Sequence, residues 1–247
     1  MLVILLTLCV VSLGEAFVPQ TPHLLHMVVR KIKRPTGIQC LQTRTTVSEF
    51  GETVFIETLK FDFPGQFRSE VRMPDSDAVL ETTIQSDTDF VKSIAATQVV
   101  TEKRLVDHGI DILLYRDPLR MTREMLKAGV DVDTGALRRY QDRICYVIGD
   151  PTRDPLAFSS LWIEKESLLP LRYLLKQGET LVEFRYGNWQ KLGRGWYPTE
   201  TDILLNGKEF TRIRVEDVRL VAGFPSELFD VSGIQMVPSD DAVDNSL

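Results

Sequence analysis

The stretch FRYGNWQKLGRGWYPTETDILLNGKEFTRIRVEDV, Phe184 to Val218, decides the fold. Apolar and polar residues alternate along it, broken by turn residues at Gly193-Arg194-Gly195 and Asn206-Gly207. Period-two alternation between such turns marks half-buried strands joined as hairpins. The same stretch carries no cluster of reactive side chains, so the function must be sought in what so much sheet can enclose.

Working outward, the pattern repeats on both sides. Upstream, Leu161 and Ile163 lead through Glu164-Lys165-Glu166 to Leu171, Tyr173 and Leu175; after Gly178, Val182, Phe184 and Tyr186 alternate with Glu183 and Arg185. From Ile38 to about Ile84 the text is again strand and turn. Thr43, Thr45 and Val47 alternate with Arg44 and Thr46, and turns are read at Gly51-Glu52 and Pro64-Gly65. Arg143 to Gly149 adds a further strand. Short turns between successive runs predict an antiparallel sheet whose neighbours are sequential.

Two helices interrupt the sheet. Thr21-Pro22 opens the first, with Leu24, Leu25, Val28 and Ile32 at helical spacing, and Pro35-Thr36-Gly37 closes it. Arg30-Lys31 and Lys33-Arg34 suit its C-terminal end, where cations oppose the helix dipole. Asp117-Pro118 opens the second, carrying Leu119, Met125 and Leu126, and Gly129 ends it. His108, before Gly109, is read as part of a turn.

The chain has 247 residues, a formal net charge of -6 and 15 glycines, an ordinary globular composition. The acidic balance and the lack of a long basic run argue against a nucleic-acid partner. Leu2–Leu13 is apolar but, at about 18 Å as a helix, too short for a roughly 30 Å hydrocarbon core. With Gly14-Glu15-Ala16 behind it, this segment reads as a signal peptide over residues 1–16, although no Lys or Arg precedes it. Leu8 before Cys9 excludes lipid attachment there. Residues 17–237 read as one domain and 238–247, with three aspartates, as a disordered acidic tail. Cys40 and Cys145 are read as unpaired small hydrophobes.

Chemistry is sparse. There is no Gly-x-Ser-x-Gly elbow, no His-Glu-x-x-His pair and no phosphate-cradling glycine loop. His23 and His26 share a helix without a third ligand nearby, so no metal and no cofactor is expected. What remains is a surface argument. Two helices, each about 10–12 Å wide, cannot cover nine or ten strands spaced about 4.8 Å apart. The sheet must then curl around them, and curled sheets leave apolar hollows that suit a greasy ligand.

Phe63-Pro64-Gly65-Gln66-Phe67-Arg68, following an apolar leader and an amphipathic helix, resembles the outer-membrane lipoprotein-sorting (LolA-like) family of periplasmic carriers. LWIEKESLLPLRYLL, Leu161 to Leu175, is similar to that family's second-half hairpin, and Glu227 to Gly233 to its closing strand. The resemblance implies an α+β, mainly β fold: a strongly curved antiparallel sheet, an unclosed barrel, with helices in or over its concave face. It implies a non-enzymatic periplasmic protein that holds lipid or lipoprotein acyl chains and meets inner- or outer-membrane partner proteins. The alternative is an envelope sensor or assembly module that binds a protein through the concave sheet. Candidate cavity residues are Leu59, Phe61, Phe63, Phe67, Val71, Val182, Phe184 and Tyr186; lid candidates are Leu119, Met125 and Leu126. The family pattern has a lid-latching arginine just before the proline of the first turn; this chain has Phe63 there.

Overall fold

A computed structural model describes residues 18–32, 36–86, 89–95, 98–149, 156–231 and 234. The expected signal peptide and acidic tail lie outside the described residues. Helix α1 (Thr21–Ile32) precedes strands β1 (Gly37–Ser48), β2 (Gly51–Asp62), β3 (Gln66–Arg72), β4 (Val79–Gln85), β5 (Phe90–Ile94) and β6 (Gln98–Val100). A helical crossing follows: a 3-10 turn at Leu105–Ile110, α2 (Asp111–Leu114) and α3 (Pro118–Lys127). The chain then returns through β7 (Gly135–Tyr140), β8 (Arg143–Gly149), β9 (Ser160–Glu164), β10 (Pro170–Gln177), β11 (Thr180–Leu192), β12 (Gly195–Leu205) and β13 (Lys208–Val221).

All thirteen strands form one antiparallel sheet in the order β6-β5-β4-β3-β2-β1-β13-β12-β11-β10-β9-β8-β7. Two meanders therefore meet where the first strand pairs with the last, Cys40 opposite Val218 and Arg44 opposite Ile213. Edges β6 and β7 do not pair, so the sheet is curved and unclosed, with short helices on its concave side. The topology dictates what covers it. The chain leaves the sheet at one edge and re-enters at the other, and a connection between opposite edges must cross a face. The helical crossing from Leu105 to Lys127 is that connection.

The turns follow local chemistry. Asn206 and Gly207 both adopt positive φ, 50° and 78°, the geometry of a tight two-residue hairpin. Asp117 caps α3, its side chain accepting from Leu119 N at 3.0 Å with Pro118 in the first turn. The first β-hairpin turns at Glu49-Phe50, two residues before the position read from Gly51-Glu52. The segment likened to a closing strand is instead a 3-10 turn at Ser226–Phe229. Its Phe229 is buried and stacks edge-on to Phe224, while Leu228 O accepts from Arg68.

The main core lies on the concave side. Leu24, Leu25, Val28, Val29 and Ile32 of α1 pack with Ile38, Leu59 and Phe61 from one meander and Ile148, Ile163, Tyr173 and Phe184 from the other. Met121 and Met125 of α3 join them. A smaller cluster on the opposite face, Cys145, Val147, Trp162 and Leu171, underlies the β8–β10 region. There Arg172 lies over the rings of Tyr140 and Trp162 and pairs with Glu183 at 2.7 Å. Cys40 and Cys145 are free and buried, as read from their setting.

Candidate functional site

A cavity of about 420 Å³ lies between the sheet and the helical crossing. Its walls can be read from strand register. On β1 the cavity-facing phase is Cys40's: Gln42, Arg44 and Thr46, whereas Thr43, Thr45 and Val47 face away. Across the first meander the inward residues form rows. One row runs Ile38, Phe61, Phe67, Gln85, Phe90; the next Cys40, Leu59, Ser69, Thr83, Lys92; the third Gln42, Glu57, Val71, Glu81, Ile94. Polarity grows from row to row. Across the second meander the cavity meets Tyr186, Thr201 and Ile213 opposite Arg44, then Phe184, Ile203 and Thr211 opposite Thr46. Phe210, Val215 and Tyr197 complete that apolar wall.

The polar wall is an ion network. Arg44 pairs with Glu81 at 3.1 Å, Lys92 pairs with Asp107 and approaches Glu81 at 3.9 Å, and Arg104 reaches Asp107 at 3.4 Å. Glu57 accepts from Gln42 at 2.8 Å and from Ser69. Burial alone would raise the Asp107 carboxyl, but the Lys92 charge and hydrogen bond, with the Arg104 backbone N–H, hold it below the ordinary carboxylate range. Gln85 donates to Tyr115 and, at 3.4 Å, to Asp111. Since a carboxylate only accepts, this fixes which end of the Gln85 amide is nitrogen.

The roof over both walls is the crossing at Leu105–Leu114, which contributes Val106, Asp107, Gly109, Ile110 and Leu113 to the lining. Gly109 shows how closely it docks. A Cβ there would stand 2.2 Å from Phe184 Cε1, so only glycine lets the Phe184 ring lie against the backbone. Tyr186 donates to Gly109 O at 2.8 Å. His108, read as a turn residue, sits in the 3-10 turn and bonds Asp111 at 2.9 Å.

Of the eight residues singled out for a cavity, Leu59, Phe67, Phe184 and Tyr186 line it. Phe61, Val71 and Val182 are buried in the packing instead, and Phe63 is half-buried against the core. Phe61 stacks with Phe63 and meets Phe67 and Tyr197, closing the floor with rings. None of the three lid candidates lines the cavity. Met125 points into the core, while Leu119 is 70 % and Leu126 52 % exposed on the outward side of α3. The roof is the segment just before α3. Arg116, between α2 and α3, lies over the Phe63 ring at 4.8 Å, so an aromatic face stands where an arginine was expected and an arginine from the crossing meets it.

The polar wall and the roof were not picked out from the sequence. Glu57 falls in phase with Phe55, Leu59 and Phe61, and Arg44 in phase with Ile38 and Cys40. A charged residue in the phase of a core face was the available signal.

Neither described cysteine is activated as a nucleophile. Burial pushes both thiols up, Cys40 to about 12, which keeps them protonated. Among the described residues no group of three or more His, Cys, Asp or Glu could hold a metal ion.

Solved structures share this architecture. An outer membrane lipoprotein-sorting protein domain from Vibrio parahaemolyticus aligns over 87 % of this chain and 97 % of its own, with TM-score 0.62 and 10 % identity. A LolA superfamily protein from Nitrosomonas europaea aligns over 86 % and 99 %, with TM-score 0.59 and 14 % identity. A DUF1329 family protein from Desulfovibrio piger aligns over 87 % and 98 %, with TM-score 0.59 and 13 % identity. No protein-family model matches the chain, and no curated protein matches it. At these identities the likeness is one of fold.

Proposed function

We propose that the chain is a non-enzymatic carrier that holds one acyl chain of a lipid or lipoprotein in the roofed cavity. The observation that carries this reading is the cavity itself: about 420 Å³ between sheet and crossing, with one wall of rings and aliphatic side chains. Its size falls in the usual range for small-molecule sites. That space has room for an acyl chain. Each buried methylene contributes about 0.8 kcal/mol, so ten give roughly 8 kcal/mol to set against the cost of immobilising the ligand, with no reactive group needed. The shared architecture with a lipoprotein-sorting domain supports the reading. The apolar segment Leu2–Leu13 supports export, and we place the protein in the periplasm, handing its cargo between envelope proteins.

Binding of a protein through the concave sheet fits less well. That face is filled by α1, α3 and the crossing, which a partner would have to displace. Lipid mass spectrometry on the protein purified from an envelope fraction tests the proposal. One acyl-bearing species per chain is expected. Recovery of lipid-free protein in a stable complex with another protein would sink it.

A further inference from the structure

Two buried polar atoms in the cavity wall lack hydrogen-bond partners among the described residues: Arg44 Nε, a donor, and Gln85 Oε1, an acceptor. Both residues line the cavity, and Gln85 is only 2 % exposed. A buried donor or acceptor left unmade is costly, so such atoms mark where a ligand's polar groups belong. Their positions set the size of those groups. Arg44 reaches Glu81, and Glu81 and Gln85 are four residues apart on β4, about 13 Å along a strand. Anchors that far apart along the backbone favour a head with several polar groups over a single hydroxyl or amide.

The charges set the character of the ligand. The lining holds three cations, Arg44, Lys92 and Arg104, and three anions, Glu57, Glu81 and Asp107. The cations are paired with Glu81 and Asp107, and Glu57 already accepts from Gln42 and Ser69. An ionised head entering this wall would add an uncompensated charge where three cations already balance three anions, and burying it is expensive. A head rich in hydroxyls, each both donor and acceptor, meets Arg44, Gln85, Thr83 and the flanking Phe55 and Phe90 rings without that cost.

We propose that the ligand is a single-chain amphiphile with an uncharged polyhydroxyl head of sugar size. The head lies along β1–β5, read by Arg44 and Gln85, and the chain runs along β11–β13. This rests on the carrier reading above and narrows its cargo.

The test is calorimetric titration of the full chain, below micelle-forming concentrations, with three ligands that share an eight-carbon tail. These are octyl β-glucoside, octyl tetraethylene glycol ether (uncharged, with acceptors but one donor) and nonanoate. The glucoside is expected to bind about tenfold tighter than either of the others. Gln85→Leu, and Arg44→Lys, which keeps the charge facing Glu81, should each weaken the glucoside more than the ether and so bring the two affinities together. Equal affinities for glucoside and ether in the parent protein would overturn the headgroup assignment and leave the carrier intact. So would nonanoate binding tightest. If none of the three binds and no lipid co-purifies, the carrier reading fails and takes this inference with it.

Discussion

Strands β1–β5 and strands β11–β13 line the same cavity and hold the same helical crossing, the first with ions and the second with rings. On the first side Lys92 pairs with Asp107 of the crossing, and Gln85 bonds Asp111. On the second side the Phe184 ring lies against Gly109, and Tyr186 donates to Gly109 O. The contrast matters because the two attachments respond to different conditions. Ring packing is short-ranged and indifferent to pH, and it fails only if the shape is spoiled. A buried ion pair adds little net stability over an apolar pair, because both ions gave up hydration, yet it fails badly when one partner is lost. The ring side anchors the roof; the ion side is where the roof can be released.

The largest expected effect comes from breaking the ring side. Phe184→Asp puts a carboxylate where the parent side chain is 1 % exposed, between Tyr173 and the crossing. Truncation of a buried Phe already costs about 3–5 kcal/mol, and an unpaired buried charge adds to that. Chemical denaturation should show a loss beyond 3–5 kcal/mol or no folded protein. A variant as stable as the parent would mean that position 184 faces water.

Breaking the ion side should cost less and be reparable. Lys92→Met strands Asp107, whose side chain is 8 % exposed, with only Arg104 for company. About 3 kcal/mol should be lost, at the low end for an orphaned buried charge. Adding Asp107→Leu should return most of it, since two apolar groups can replace a buried pair. A double variant no more stable than Lys92→Met would show that the pair does more than neutralise itself.

The same contrast explains what the sequence disclosed. Hairpins such as β11–β12–β13 were legible because alternation and turn residues coincide, and α1 and α3 because their caps and apolar spacing agree. The strands missed are those near or at the two edges. β5 is five residues long, β6 three, and β7 reads Gly-Ala-Leu-Arg-Arg-Tyr. Edge strands are kept short and charged to discourage pairing with other chains, which erases the pattern used to find them. In the site, the ring side was partly legible, since Phe184 and Tyr186 sit in an apolar phase. The ion side was not. Arg44, Glu57, Glu81 and Lys92 look like solvated residues until register shows that their phase continues a core row. The 3-10 turn at Leu105–Ile110 has too few residues for a helical period, so the roof was invisible beside the better-formed α3.

The smallest expected effect is acid release of the ion side. The folded Asp107 carboxyl is held below its ordinary value, where burial opposes and Lys92 and Arg104 prevail. A depressed carboxyl contributes stability that is complete above the unfolded value, about 3.9, and is lost as pH falls through the folded value. Amide protection across Leu105–Leu114, taken relative to the intrinsic exchange rate at each pH, should therefore be unchanged from neutral pH down to about 5 and should fall only below the ordinary carboxylate range. In Lys92→Met the largest opposing charge is gone and burial dominates, so the onset should move to higher pH. Glu183, also held low but against Arg172 and Arg185 near the opposite face, supplies the internal control. Its strand β11 should keep the same acid onset in both proteins. If the onset at the crossing does not move with Lys92, the roof is held by the Phe184–Gly109 contact alone, and the division of labour between the two walls is wrong.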